Sequence, residues 1–461
     1  MKYDKLKEQI KKSVEEFKKI DKKETIRVIS HLDCDGIAAC SILIKAFNRD
    51  NRKYSISIIQ QLDKKIVDEL KNEDYSFFFF SDLGSGYASE IYKNFKKVFI
   101  LDHHQMKDKF ANTTHINPHF FGIDGNKEIS GAGLAYLFAK ELNEKNKDMA
   151  HIAVIGAIGD IQENNGFLKL NNEILQEALK QGTIKLKKGL RVFGGYTKPL
   201  HKVLEYSSDI YIPGVTGSET NSIKFLQDIG INPKNGKEWV KINELSDEEM
   251  QRLIAAVVMK RNNQTNPEDI IGYSYILTKE TYEQLKEAKE FSTILNACGR
   301  LNNASLGIGC CLDDKKKKKK AIENLSNYKK EIVNAINWYN KNKKNSNIIK
   351  EDGFIIINAQ DNILSTITGT LASMLARNNE FKKGTLIMSM AQQMDNTTKV
   401  SLRCAGDNES DLMGIIKDIT EKIDGEAGGH KDAAGAIIKT EDEEKFIEEA
   451  RKILKEKKSQ K

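Results

Sequence analysis

Four apolar-rich, strand-like runs near the start of the chain limit its fold more than any other feature: "TIRVIS", "YSISIIQ", "YSFFFFS" and "KVFIL". A strand with one wet face alternates apolar and polar residues, so a continuous apolar run is covered on both faces. The first three runs lead into helix patterns ("IAACSILIKAF", "KKIVDELK", "YASEIYKNF") and the fourth into "DHHQ". Strands separated by helices form a parallel sheet with helices on both sides. Such sheets place functional groups at the carboxyl ends of their strands. Three of these strands run directly into acids or histidines: His31 to Asp35, Asp82, and Asp102 to His104. A further apolar run, "IAVIGAIGD", ends in Asp160; Gly156 and Gly159 suit the close packing of a helix better than a strand.

The β/α alternation returns after residue 350 with "GFIIINAQ", a helix carrying Leu364, Ile367, Leu371 and Leu375, then "GTLIMSMAQQ", "TKVSLRCAG" and "GGHKDAAGAIIK". Between the two regions lie helical patterns such as "DEEMQRLIAAVVMKR" and a lysine tract at 315–320, read as a solvated loop or helix end. Leu6, Ile10, Val14, Phe17 and Ile20 mark one face of an N-terminal helix. A length of 461 residues accommodates two or three domains. The expected class is α/β: a parallel-sheet domain over 1–185, a linker and mostly helical inserted region over 186–345, and a smaller α/β domain over 346–461.

The net charge of +7 permits a nucleic-acid partner without demanding one. No apolar run approaches the roughly 20 residues of a membrane span, and the charged N-terminus lacks a signal-peptide core. Six scattered cysteines, including the adjacent Cys310 and Cys311, form no disulfide framework and point to a reducing cytoplasm. Cys34 reads as a small filler between two aspartates.

Mixed carboxylate and imidazole ligands suit divalent metals such as Mn²⁺. Two such ions about 3.5–4 Å apart activate water and stabilise the leaving oxygen of a phosphoester. The strand ends supply the inventory: His31, Asp33, Asp35, Asp82, His103 and Asp160. A bridging ligand needs two oxygens, and Asp82, alone on its loop, is the choice for it. Any one of these residues alone would be a helix cap or a turn former, Asp33 and Asp35 included. Their joint occurrence at successive strand ends of one sheet is what favours a metal site.

These residues resemble a known family. "SHLDCDGIAA", "SDLGSG", "LDHH" and "AIGD" are similar to the first four motifs of the DHH phosphoesterases, and "GGHKDAAG" resembles the signature of their DHHA1 substrate-binding domain. "ILNACGRL" and "SLRCAG" resemble motifs of the RecJ nucleases, and the insertion resembles that of archaeal RecJ-like proteins, including the nuclease associated with the GINS replication complex. The resemblance implies one metal ion held by His31, Asp33 and Asp82 and another by Asp35, Asp82, His103 and Asp160. The ions would be divalent, Mn²⁺ in preference to Mg²⁺. Asp102 would orient an imidazole, and His104 would face the scissile phosphate. Arg300, Ser401, Arg403 and His430, with the backbone at Gly428 and Gly429, would hold substrate phosphates. The implied activity is a metal-dependent exonuclease on single-stranded DNA or RNA, 5′-to-3′ on DNA, in replication or repair. The alternatives are a short-oligonucleotide phosphodiesterase of the nanoRNase type and a structural replisome factor that kept the fold and lost the chemistry.

Overall fold

In the computed structural model of the chain, the four apolar runs form β1 (Thr25–His31), β2 (Lys53–Ile59), β3 (Phe77–Ser81) and β4 (Val98–Leu101), and a short β5 (His115–Ile116) completes the sheet. Its order is β2-β1-β3-β4-β5, and every neighbouring pair is parallel. The structure describes residues 2–106, 112, 114–163, 166–207, 211–262, 266–377, 380–406, 410–423 and 425–459. The chain separates into two compact units, Met1–Ile322 and Glu323–Lys461, with the division inside the helix Lys315–Asn342. Among the described residues no helix is long and apolar enough to cross a membrane.

All residues of β3 are buried, as its unbroken run of phenylalanines requires. Phe79 faces one side, with Phe17, Phe47, Phe99 and Phe138 at ring separations of 6.1, 5.6, 5.6 and 5.4 Å. Phe78 and Phe80 face the other side, 4.2 and 6.1 Å from Phe95. With both faces apolar, polarity cannot set the strand register. Aromatic fit supplies part of the register, each pair adding about 0.5–1.5 kcal/mol beyond its burial. A buried hydroxyl supplies more: Ser30 Oγ lies 2.8 Å from the Gly36 carbonyl and 3.0 Å from that of Ser81. The resulting register pairs Ser30 with Ser81 and Ser81 with Leu101. The next residues, His31, Asp82 and Asp102, therefore leave the sheet at one level.

"IAVIGAIG" is the helix Ala150–Gly159, and Asp160 is its C-terminal cap. The intervening segment has β6 (Ile184–Leu190) antiparallel to β9 (Ile271–Leu277), with a small hairpin of β7 (Lys234–Asn235) and β8 (Glu238–Trp239). The helices Leu200–Glu205, Glu219–Asp228 and Asp247–Lys260 close over a core that includes Leu204, Phe225, Leu226, Leu253 and Val257. The lysine tract is a helix start. Asp314 Oδ1 accepts from the backbone N–H groups of Lys316 and Lys317 at 2.8 and 3.0 Å. Lys318 departs from the solvated reading: it is buried, with Nζ 2.7 Å from Glu280 and 2.5 Å from Asp313.

The second unit holds β10 (Ile348–Glu351), β11 (Phe354–Asn358), β12 (Leu386–Gln392), β13 (Thr397–Cys404), β14 (Gly425–His430) and β15 (Ala433–Lys439), in the order β10-β11-β12-β13-β15-β14. Only β11 and β12 pair in parallel; the other pairs are antiparallel. The helices Leu412–Thr420 and Glu443–Ser459 pack their apolar side on this sheet through Ile416, Ile419, Phe446 and Leu454. Leu364 is exposed ahead of a single 3-10 turn, so the expected helix begins at Thr368 and only Ile367, Leu371 and Leu375 of its apolar row are buried.

Candidate metal centre

The loop after β1 is built by helix capping. Asp33 is the N-cap of the helix Cys34–Arg49, and its Oδ1 accepts from the backbone N–H of Gly36 at 3.0 Å. That bond holds the other oxygen, Oδ2, 2.9 Å from His31 Nδ1. The helix cap and the candidate ligand are therefore one side chain. Asp35, in the first turn, is fully buried and reaches across to the start of the helix Gly131–Leu142, where the N–H groups of Gly131 and Ala132 donate to it at 2.6 and 3.0 Å.

Asp82 leaves β3 with φ of 59°, a left-handed conformation uncommon outside glycine and asparagine. It is 1% exposed. Its Oδ2 lies 3.7 Å from His31 Nδ1 and its Oδ1 3.2 Å from His103 Nε2. One carboxylate thus faces two clusters: His31, Asp33 and Asp82 on one side, and Asp35, His103 and Asp160 on the other. His103 Nε2 lies 3.2 Å from Asp160 Oδ2 and 3.7 Å from Asp35 Oδ2. Gly131 is required here, since a Cβ at that position would lie 2.4 Å from Asp82 Oδ1.

Both oxygens of Asp82, Nδ1 of His31 and Nε2 of His103 are buried without a hydrogen-bond partner. A bare buried carboxylate costs several kcal/mol, a large share of the roughly 5–15 kcal/mol that stabilises a whole domain. A cation between the clusters would satisfy all four atoms. The tautomer of His103 fits the same purpose. Its Nδ1 lies 2.7 Å from the Gly125 carbonyl, which only accepts, so Nδ1 carries a proton and Nε2, once deprotonated, would present a lone pair to the cluster. These side chains could hold divalent metal.

The electrostatics match. Burial, then the Asp82 and Asp160 charges, push Asp35 well above the usual carboxylate range. Burial likewise raises Asp160 to about 6. Burial opposes charge on His31 and His103 as well, but the neighbouring carboxylates outweigh it and raise both imidazoles. Protons on these groups occupy positions that a metal would take, so metal uptake would release them.

Asp102 stands behind the cluster. Its Oδ2 accepts from the Ser85 N–H at 2.8 Å, and its Oδ1 lies 2.6 Å from His104 Nδ1. The His104 side chain is 48% exposed and offers a ligand-type atom within 4.8 Å of those of Asp82 and His103. Arg300 is half-buried at the end of the helix Ala288–Arg300 in the same unit.

Ser401 and Arg403 belong to the second unit, on β13. Arg403 donates from Nε to Ser373 Oγ at 3.1 Å and from Nη1 to the Leu402 and Ala434 carbonyls at 2.8 and 3.3 Å. Ser401 Oγ lies 3.0 Å from Thr368 Oγ1. Gly428 and Gly429 lie in the edge strand β14, opposite Gly435 and Ala434, rather than in a turn. His430 ends that strand; its side chain lies outside the described residues.

Sequence reasoning passed over the groups that hold the ligands. Gln162 Nε2 donates to the Gly125 carbonyl at 2.9 Å and lies 3.3 Å from Asp160 Oδ2, so one amide ties the His103 anchor to Asp160. Asn296 Oδ1 accepts from the Cys34 N–H at 3.0 Å. Gln162 carries no signal in the pattern. Asn296 stood inside "ILNACGRL", whose arginine alone received a role.

A parallel sheet with a carboxylate–imidazole cluster on its carboxyl edge, in a chain whose second unit is a mixed sheet, defines an α/β protein equipped for divalent metal. Three family models match the chain: the DHH family N-terminal domain over 25–159, the DHH-CID domain over 192–272 and the DHHA1 domain over 352–456. The chain belongs to the DHH/DHHA1 family, and its fold is RecJ-like. An uncharacterised protein of Methanocaldococcus jannaschii is 31% identical over 447 residues, covering 94% of this chain and 93% of that one. RecJ of Thermus thermophilus in complex with Mn²⁺ superposes with a TM-score of 0.60 at 15% identity, over 97% of this chain but only 55% of RecJ. CDC45 of Entamoeba histolytica gives 0.62 at 15% identity, over 98% of both chains.

Proposed function

We propose that the protein is a metal-dependent exonuclease that hydrolyses phosphodiester bonds of single-stranded DNA or RNA from an end, with 5′-to-3′ polarity on DNA. The observation that carries the reading is Asp82, whose two bare oxygens face two ligand clusters. The ligands are His31, Asp33 and Asp82 on one side, and Asp35, Asp82, His103 and Asp160 on the other. When bound, a divalent pair with Mn²⁺ preferred supplies an activated water and neutralises charge on the phosphate. His104, oriented by Asp102, contacts the scissile phosphate. Arg300, Arg403, Ser401, His430 and the Gly428–Gly429 backbone hold neighbouring phosphates; arginine suits that task because its planar fork meets two phosphate oxygens at once. Residues 1–185 carry the chemistry and 346–461 the grip on the strand. Phosphate contacts of this kind bind without reading bases and weaken with salt. Six free thiols, five of them buried, accord with a cytoplasmic setting.

A structural replisome factor is the second reading, favoured by the CDC45-like fold. It needs no intact ligand set, whereas here all six ligand-type side chains converge. A GINS-type replication complex remains a candidate partner of an active enzyme. The deciding experiment digests an end-labelled linear single strand, the same strand annealed to its complement, a closed single-stranded circle and a trinucleotide, with Mn²⁺, Mg²⁺ or EDTA. The exonuclease shortens only the linear single strand progressively and stops with EDTA. Cutting of the circle overturns the exonuclease reading. Activity confined to the trinucleotide selects the short-oligonucleotide phosphodiesterase, and inertness on all four selects the structural factor.

A further inference from the structure

The helix Ala288–Arg300 touches the metal loop at two points that bracket Asp33. Before it, the Leu32 carbonyl lies so close to Gly299 that a Cβ there would stand 1.6 Å from Leu32 O. After it, the backbone N–H of Cys34 donates to Asn296 Oδ1 at 3.0 Å. That N–H is the first of the helix Cys34–Arg49 and has no partner within its own helix, so its partner comes from outside it, here Asn296. Asn296 and Gly299 lie three apart, on one face of their helix. The loop peptide is therefore fixed on both sides of the one ligand that it carries between them. Asp35, His103 and Asp160 are held by other groups: the Gly131 and Ala132 amides, the Gly125 carbonyl and Gln162.

We propose that Asn296 and Gly299 are positioning residues for Asp33, and that they set the affinity of the His31–Asp33–Asp82 half of the site while leaving the Asp35–His103–Asp160 half unchanged. The inference rests on the two-ion reading above. Physically, Asp33 must divide its oxygens between the Gly36 N–H and the ion, 3.0 Å from one and 2.9 Å from His31 Nδ1 beside the other. A loop free to move at Cys34 would keep the cap and lose the ligand. Groups that orient a metal ligand in this way commonly carry about 10–100-fold in metal affinity.

The test is Mn²⁺ titration of the full-length protein by calorimetry and electron paramagnetic resonance, without substrate. Wild type should bind two ions. Asn296→Ala should weaken one ion by about 10–100-fold and keep the other within about threefold. Asn296→Asp, which still accepts from the Cys34 N–H, should restore the weakened ion. Gly299→Ala should reproduce the loss by pushing Leu32 away, and it decides the matter if Asn296→Ala does not fold, as read by its thermal melt. Two ions bound as in wild type by the folded variants, or equal weakening of both, overturn the proposal and leave the two-ion reading intact. A wild-type protein that binds no pair overturns the two-ion reading itself, and the proposal with it.

Discussion

Oδ1 of Asp102 lies 2.6 Å from Nδ1 of His104, while its Oδ2 is committed to the Ser85 N–H. The carboxylate only accepts, so His104 Nδ1 carries a proton. Burial works against charge on His104, and the Asp102 carboxylate more than offsets it, raising the imidazole above its ordinary range. Asp102→Asn removes that charge and offers an amide that can donate instead. The expected result is a fall of about 10–100-fold in kcat, a pH profile shifted to lower pH on its basic limb, and Mn²⁺ content equal to wild type. Loss of Mn²⁺ in this variant would place Asp102 among the ligands.

Asp82→Asn tests the bridge with little change of shape, because asparagine tolerates the left-handed backbone at φ 59°. The variant should bind Mn²⁺ more weakly at both positions and lose about three orders of magnitude in hydrolysis, the scale of removing a group that organises two ions. Near wild-type turnover at saturating Mn²⁺ would exclude Asp82 as the shared ligand.

Away from the cluster, burial raises Glu287 to about 7, opposed by the Glu290 N–H and reinforced by the Glu290 charge. The sign follows from linkage. The folded chain keeps this proton up to about pH 7, and the unfolded chain releases it near the ordinary 4.5. The group's contribution is therefore fully present below pH 4.5 and is lost as pH rises through 7, with at most about 3 kcal/mol at stake. Glu287→Gln keeps an acceptor for the Glu290 N–H and removes the titration. Urea melts of both proteins at pH 5 and pH 8 should show a gain for the variant at pH 8 alone. An equal difference at both values would refute the assignment.

The parallel sheet and the clustering of acids and histidines at its edge were legible because apolar runs and the residues that end them are local features of sequence. Helix against strand at "IAVIGAIGD" was legible for the same reason, since glycine spacing signals close packing. The mixed sheet of the second unit was less so: antiparallel pairing of β12 with β13 depends on a short turn, and an apolar run reads alike in either direction. The lysine tract hid Lys318, whose burial follows from Glu280, a residue 38 positions away. Gln162 and Asn296 were beyond reach for a related reason. Their roles are single hydrogen bonds to backbone groups that only the folded chain brings near.

Arg403 donates to Ser373, Leu402 and Ala434 inside its own unit, so its removal mixes stability with function. Arg403→Lys separates them better than alanine. Lysine keeps the charge but cannot donate in the planar fork that meets a phosphate with two bonds. KM for a linear single strand should rise by about 10-fold, one lost charge-assisted bond, with kcat and Mn²⁺ binding little changed. A fall in kcat at unchanged KM would move Arg403 from substrate grip to the reacting centre.

Ile161 follows Asp160 with φ of 58° and stands 60% exposed. The left-handed turn is imposed by its neighbours: the Ile161 N–H donates to Ile158 O and the Gln162 N–H to Ala157 O, both at 3.0 Å, closing the helix that ends at Asp160. A β-branched residue there costs roughly 1–2 kcal/mol, and exposure means that little packing offsets it. Glycine removes the strain but adds about 0.5–1 kcal/mol of unfolded-state entropy. Ile161→Gly should therefore stabilise the protein by roughly 0.5–1 kcal/mol in urea melts, with Mn²⁺ affinity unchanged because Gln162 still holds Asp160. If activity on a single strand falls while stability rises, the strain serves the substrate, and the isoleucine side chain is part of the surface that the strand meets beside the metal. If stability falls instead, contacts of the side chain outweigh the backbone cost, and the left-handed turn is ordinary capping.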